Sequence, residues 1–506
     1  MEKYVAEARN AWLVIFGFAC AQCFLYTVLF IGVPLSYAYR APARFDLLSV
    51  LVFLATAFLL VWLLKSGLRD RLFSAPFVGV CSFLPLIGLG LRAFGFSASE
   101  PAYALVEMLV EGAFMGFPAG LMLCAWGRAI GCFPIEQSVP IVFIGSALGS
   151  ALGFAVSVLP VSGAVLALQV LLIPSFLLML RARGCGEDAI ASRGEGAPSS
   201  LDSGDEGLLE RGVADMSAQA STLSMRILAG TCVYGLAAGL VEATLASSAS
   251  SGASTDSFVL LLFALYCLAA IQLFGGSPLV SMRRILPTRE TSSAEDAGPL
   301  DGSYRLAVLL MLTGFLLVPT LKLVGVAGES VIFAGYMGVT TVLVSLFLVM
   351  GRISGRDSAR AFAQGFTALF SGEFVGVMAG GAAGAAFGGV VSTPSVAVAG
   401  VAVIVASQFL FTDRDLESLS HVVDETDLFE KACSRIARDA ALSKRESEIL
   451  PFALRGRTSE RIAAEFYISK NTVDTHIRRI YAKCDVRSRQ DLIDLGERVE
   501  RELRGR

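Results

Sequence analysis

The chain has 506 residues, of which 55% are hydrophobic and only 17% charged, whereas an average soluble domain carries roughly 25% charged residues. Its net charge of -3 hides an uneven layout, because nearly half of the 41 Lys and Arg follow Phe411. This composition excludes an ordinary soluble globular protein and points to a membrane chain that ends in a segment with a different solvent.

Residue types exclude more. The 10 cysteines are scattered, mostly through apolar runs, and set out no disulfide framework. His421 and His476 are the only histidines, too few for a His-based metal or catalytic site, and no GxxxxGK phosphate loop occurs. We therefore expect no enzyme activity, no catalytic residue, no metal and no cofactor.

In chain order, twelve apolar runs approach the ~20 residues of a spanning helix. They lie near 12–33, 46–64, 73–94, 102–125, 138–159, 161–180, 226–247, 257–280, 305–326, 330–350, 361–386 and 394–411, and only Pro160 separates the fifth from the sixth. A cytoplasmic N-terminus puts Lys3, Arg9, Lys65, Arg69, Arg71, Arg128, Arg352 and Arg356 inside. Only Arg40, Arg44, Arg92 and Lys322 then fall outside or in an outer half, as the positive-inside rule requires. The expectation is a multi-pass protein of the inner (cytoplasmic) membrane with both termini cytoplasmic.

The segment 181–225, with its GEGAPSSLDSGDEG, reads as a disordered cytoplasmic linker that divides the spans six and six. Gly145, Gly149 and Gly153 in the fifth span, and Gly376, Gly380, Gly384 and Gly388 in the eleventh, are small-residue stripes at equivalent positions of the two halves. This layout resembles the major facilitator superfamily, whose two six-helix halves are parallel repeats around a central cavity. The superfamily's loop signature survives only in degenerate form, as KSGLRDR from Lys65 to Arg71.

Ionisable residues within spans cost about 2.5–3.5 kcal/mol each on insertion scales. Glu107, Glu111, Glu242, Lys322 and Glu373 are such residues, candidates for binding a small ligand or proton in a polar cavity. A structural ion pair of Lys322 with a glutamate is the other reading.

After Phe411 the pattern changes. Residues 1–411 read as the membrane sensor domain, 412–426 as a polar hinge and 427–506 as a compact helical domain. In DLFEKACSRIARDA, Asp427 and Glu430 can form a capping box, and Phe429, Cys433, Ile436, Ala437 and Ala440 recur at helical spacing. Ser443, Ser459, Ser469 and Ser488 can cap four further short helices, with Asp491 supporting the last and Gly456 ending the first, a helix-turn-helix arrangement. On the third of these, Val473, Ile477, Ile480 and Cys484 share one face, and Asn471, Asp474, Thr475, Arg478 and Ala482 the other. A helix with one buried stripe and one stripe of small polar and basic side chains fits a DNA major groove. The residues from Ala441 onward hold 15 basic against 11 acidic groups, a mild preference for a polyanion.

Leu442-Ser443, Arg445-Glu446, Glu448, Leu450, Gly456, Ile462-Ala463, Ile468-Ser469, Thr472-Val473, His476, Ile480, Lys483, Val486 and Arg489 stand at the spacing of a known family. The run resembles the LuxR-type C-terminal DNA-binding domain. The resemblance implies a recognition helix near Lys470–Lys483 and a DNA-binding set of Ser469, Lys470, Asn471, Thr472, Asp474, Thr475, Arg478 and Arg479. It also implies dimers through the last helix, where Leu492, Leu495, Val499 and Leu503 form an apolar stripe. Four positions depart from the family: Asp474 where a Lys is common, Glu460-Arg461 in place of Lys-Glu, and Asp485 in place of Gly. Pro451 inside the first helix should kink it or remove a hydrogen bond.

The expected fold is all-α, a polytopic helical bundle followed by a four-helix LuxR-type domain. The expected function is a membrane-bound one-component transcription regulator, since the 506 residues contain no acidic receiver domain. Its partners would be double-stranded DNA, the lipid bilayer, a small-molecule effector, a second copy on DNA, and RNA polymerase as a further candidate. A secondary transporter with a regulatory DNA-binding tail is the rival reading.

Overall fold

The computed structural model describes residues 2–27, 43–64, 66–93, 101–133, 135–193, 225–243, 253–273, 299–323, 328–353, 358–386, 392–407, 429, 432–454, 456–465 and 469–504. Among these, all regular structure is helical. In the bundle the helices are α1 (Glu2–Tyr26), α2 (Ala43–Leu63), α3 (Ser66–Leu72), α4 (Ala75–Ala93), α5 (Pro101–Gly131), α6 (Ile135–Ser157) and α7 (Val161–Arg193). They continue with α8 (Met225–Ala243), α9 (Ala253–Leu273), α10 (Pro299–Leu323), α11 (Gly328–Ile353), α12 (Ser358–Ala386) and α13 (Ser392–Val405).

A helix lies on each apolar run read from the sequence. Among the described residues, 5 are long and apolar enough to cross a membrane, and α13, at 14 residues, falls short of a full crossing. Pro160 separates α6 from α7 cleanly. The linker expectation needs correction at its start, because α7 continues as helix to Arg193. Residues 194–224 of the proposed linker and the whole hinge 412–426 lie outside the described residues.

The packing repeats at an offset of six spans. Leaving aside the short α3, α2 packs on α5 as α9 packs on α11, α4 on α5 as α10 on α11, and α4 on α7 as α10 on α13. Contacts between the halves obey the same operation: α2 meets α12 as α9 meets α6, and α5 meets α12 as α11 meets α6. A repeated helical unit in each half of the bundle produces this pattern.

Glycine sets the closest approaches. Gly145 and Gly149 of α6 lie against Phe18, Ala19 and Gln22 of α1. In the equivalent pair, Gly235 and Gly239 of α8 press on the backbone of Leu369 and Glu373, while Gly372 and Gly376 of α12 press on the backbone of Cys232 and Leu236. The stripe read on α12 is thus half of an interlocked seam, which begins one turn earlier at Gly372 and is answered by Gly235 and Gly239. Gly388 lies outside the described residues.

At the end where α5 finishes and α12 begins, aromatic rings fill the space between the halves. Phe58 stacks on Phe366 with centroids 4.9 Å apart and on Phe370 at 5.8 Å, and Phe347 and Phe362 complete the cluster. Gly127 admits the Phe362 ring and Gly131 admits Ser358, so the halves meet closely there. Nearby, Asp70 of α3 accepts a 2.7 Å charge-assisted bond from Arg128 of α5, whose guanidinium lies over the Phe73 ring. Helix α3, which carries most of the degenerate KSGLRDR signature, is therefore tied to the same end.

A side chain in the α8–α12 seam has nowhere to go. Gly235→Val should destabilise the bundle by about 1–3 kcal/mol, the ordinary cost of overpacking, and lower the thermal unfolding midpoint of the detergent-purified protein. Gly381→Val, where an added Cβ meets nothing within 4 Å, should leave that midpoint almost unchanged.

Candidate nucleic-acid interface

The tail comprises α14 (432–439), α15 (Lys444–Leu454), α16 (Ser459–Glu465), α17 (Lys470–Lys483) and α18 (Arg489–Arg504). They enclose their own core of Cys433, Ile436, Ile449, Leu450, Ile462, Val473, Ile477, Ile480 and Leu492, among others. Asp427 and Glu430 lie outside the described residues. Pro451 sits inside α15, which runs on to Leu454.

Three of these helices end in the same way. At Ala441, Gly456 and Asp485 the backbone turns left-handed, with φ of 47°, 74° and 53°. The next amide then reaches back, Leu442 to the Ala437 carbonyl, Arg457 to Phe452 and Val486 to Tyr481, at 2.9–3.0 Å. This is the Schellman termination, in which glycine is favoured because it has no Cβ to clash. Asp485 thus occupies a glycine position, which explains the family preference it breaks.

The helix starts are capped by side chains. Ser443 and Glu446 form a capping box at α15, the Ser443 amide donating to the Glu446 carboxylate at 2.7 Å. Ser488 and Asp491 form another at α18. Ser469 caps α17, its hydroxyl accepting from the Thr472 amide at 3.2 Å. For α16 the cap is one residue earlier than expected: the Ile462 amide bonds the Thr458 carbonyl, and Ser459 is already helical.

Glu446 does more than cap. Its buried carboxylate also accepts from the ammonium of Lys483 at 2.6 Å, and Lys483 donates in addition to the Ala441 carbonyl at 3.1 Å. The last residue of α17 is thereby tied to the turn between α14 and α15, which sets the angle of α17 on the domain. Burial alone would raise the Glu446 carboxyl, but hydrogen bonds from Lys483 and Ser443 outweigh it and hold it below the ordinary 4.5.

Val473, Ile477 and Ile480 of α17 are buried, so the opposite face is the one presented to solvent. Ser469, Lys470, Asn471, Thr472, Thr475, Arg478 and Arg479 are exposed there, and Asp474 is partly exposed. Two hydroxyls are already engaged. Thr475 donates back to the Asn471 carbonyl at 2.8 Å, and Thr472 shares a 2.8 Å bond with Ser469. Lys470 forms an ion pair with Glu460 of α16. That hydrogen bond holds the Glu460 carboxyl below its ordinary value and the Lys470 ammonium above its own.

The apolar stripe of α18 needs correction as a dimer surface. Leu492 and Val499 are buried, and Leu495 and Leu503 pack against the same internal core. Outward-facing positions include Gln490, Asp494, Glu497 and Arg501, and Arg435 of α14 holds Glu502 at 2.9 Å.

In the bundle, Glu373 of α12 is buried and accepts a 2.9 Å hydrogen bond from the Tyr336 hydroxyl of α11. Glu242 is carried on α8 one turn past Gly239, which packs against the Glu373 backbone. The structure thus brings two of the five candidate ionisable residues to one seam. Glu107 and Glu111 ride on α5 and Lys322 on α10, but their side chains lie outside the described part.

Among known families, residues 440–495 match the one described as bacterial regulatory proteins, luxR family. An uncharacterized response regulatory protein, YgeK of Escherichia coli, is 41% identical over 70 residues, which cover 14% of this chain and 48% of that one. The response regulator protein TodT of Pseudomonas putida is 43% identical over 63 residues, 12% of this chain and 28% of that one. The chain thus spans less than half the length of these relatives. Among solved structures, the proton:xylose symporter XylE aligns over 82% of this chain and 98% of its own, with 14% identity and a TM-score of 0.48. An auto-inhibited peptide transporter of the POT family aligns over 80% and 98%, with the same identity and score.

Relaxing one turn and cutting one tie should move the tail in opposite directions. Asp485→Gly should stabilise it by about 0.5–1 kcal/mol, and Glu446→Gln should destabilise it by about 1–2 kcal/mol, discounted because Lys483 is partly exposed. Because the folded carboxyl lies below its ordinary 4.5, the Glu446 contribution is complete above that value and is lost as pH falls through the depressed one. Hydrogen exchange of tail amides in the intact chain, read by mass spectrometry, checks all three. Residues 440–495 are a LuxR-family regulatory DNA-binding domain, carried in one chain with a helical bundle of which 5 helices, among the described residues, are long and apolar enough to cross a membrane.

Proposed function

We propose that this chain is a membrane-bound one-component transcription regulator of the inner (cytoplasmic) membrane, with both termini cytoplasmic and no enzyme activity. The observation that carries this reading is the exposed Lys470–Arg479 face of α17, held at a set angle by the Lys483–Glu446 tie, in the same chain as the bundle.

On DNA, as a homodimer, α17 enters the major groove. Arg478 suits guanine O6 and N7, Asp474 accepts from cytosine N4, and the methyl of the exposed Thr475 suits thymine. Ser469, Lys470, Asn471, Thr472 and Arg479 position the helix on phosphates. Since the α18 stripe is consumed internally, the dimer contact falls to the polar flank of α18 or to the bundle. RNA polymerase is a further partner once the tail is seated.

The effector is a small molecule or membrane signal reaching the bundle from the outer side. Two observations support that direction: the Phe58, Phe347, Phe362, Phe366 and Phe370 cluster fills the opposite end, and Glu373 with Tyr336 forms a buried polar pair inside, beside the α8 turns that carry Glu242. Glu107, Glu111 and Lys322 complete the proposed site. Binding shifts the balance between two arrangements of the halves only by its differential affinity for them, and the hinge 412–426 passes the change to the tail. The same buried carboxylate also favours the second reading, a secondary transporter with a regulatory DNA-binding tail.

Transcript profiling separates the two. Arg478→Ala should cost about 1–3 kcal/mol at its base pair and abolish regulation of the target genes with membrane insertion intact. Asp474→Lys should change site preference. Glu373→Gln should abolish the response to the effector and leave DNA binding by the purified protein intact. Loss of solute uptake in Glu373→Gln, with transcripts unmoved by Arg478→Ala, would instead establish the transporter.

A further inference from the structure

One departure from the LuxR-type pattern, Glu460, meets the recognition helix in space. Glu460 pairs with Lys470, the first residue of α17, and Asp474, another departure, lies one turn further along that helix. The side chains of Lys470 and Glu460 are 55% and 60% exposed. An ion pair so open to water contributes little to stability, so the fold does not depend on it.

Its position gives it another consequence. In helix-turn-helix docking the N-terminal end of the recognition helix enters the groove, and the preceding helix crosses the sugar-phosphate backbone. Lys470 begins the recognition helix and Glu460 lies in the first turn of the preceding one. A phosphate approaching Lys470 competes with a carboxylate already bonded to it and faces that carboxylate's charge.

We propose that Glu460 competes with DNA phosphate for Lys470, an internal counter-ion that lowers the tail's sequence-independent affinity for DNA. The inference rests on the DNA-binding reading. It assigns Glu460 a role in specificity, because non-specific binding is almost wholly electrostatic whereas Thr475 and Arg478 read base edges. Exchanging one anion for another at Lys470 also releases fewer counter-ions than a bare lysine would, so the salt dependence of binding falls short by about one phosphate.

The test uses the full-length chain in detergent and a fluorescent duplex of random sequence, followed by anisotropy across a salt series. Glu460→Gln should tighten binding roughly fivefold near physiological salt and steepen the slope of log K against log salt by about 0.9. In a Lys470→Gln background the same substitution should leave the slope unchanged and alter affinity by less than about twofold. Unchanged affinity and slope in Glu460→Gln would overturn the proposal. So would equal tightening with and without Lys470, which would mean that net charge alone is at work. A wild-type chain with no salt-dependent binding to any duplex would overturn the DNA-binding reading itself, and this proposal with it.

Discussion

In hydrocarbon no hydrophobic force draws one helix to another, so a bundle is held by how closely its backbones can approach and by what its polar groups can reach. Here that constraint is met by glycine. Gly145 and Gly149 bring α6 onto α1, and Gly235, Gly239, Gly372 and Gly376 bring α8 onto α12. These pairs are related by the six-span offset, as are the contacts between the halves. Because Glu373 sits within the second seam, its carboxylate is fixed to within the play of two interlocked backbones. A group that must answer to a ligand or proton gains from such a setting, because a small change in its partner has no slack to absorb it.

The tail solves the opposite problem, a small core in water. Its five helices are short, and each end must satisfy several backbone groups. Capping boxes at Ser443 and Ser488, the Ser469 cap and three Schellman turns do so. Glu446 is the economical element, serving one capping box and the Lys483 tie with a single carboxylate. The angle of the recognition helix therefore depends on a residue in the first turn of another helix, and a fault at Glu446 would reach the DNA face without touching it.

Local pattern made much of this legible. The apolar runs and the buried stripe of α17 follow from hydropathy and 3.6-residue periodicity, which neighbours in sequence determine. Three features were hidden for one reason, that they are pairings between distant segments. Gly235 and Gly239 look like any glycines until α12 is laid against them. Lys483 and Glu446 each match a family position, yet nothing local joins them across the domain. Glu460 and Lys470 belong to different helices, and their contact depends on the turn between those helices. The continuation of α7 to Arg193 was missed for another reason: a Gly- and Ser-rich composition marks the linker as a whole but does not mark where the preceding helix stops.

The placement of acid on the DNA face then becomes intelligible as a matter of ratios. Any duplex offers phosphates, and a genome offers roughly a million to a billion competing sites, so a tail with strong general attraction to DNA would be occupied wherever it happened to be. Attachment to a bilayer sharpens the problem, since the tail can sample only DNA that comes near the membrane. Glu460 reduces the component of binding that every site shares, and Arg478 and Thr475 stay exposed on the face proposed to read bases. What looks like a loss of affinity in the recognition motif is a gain in discrimination, provided that the operator offers a cytosine to Asp474 and a guanine to Arg478.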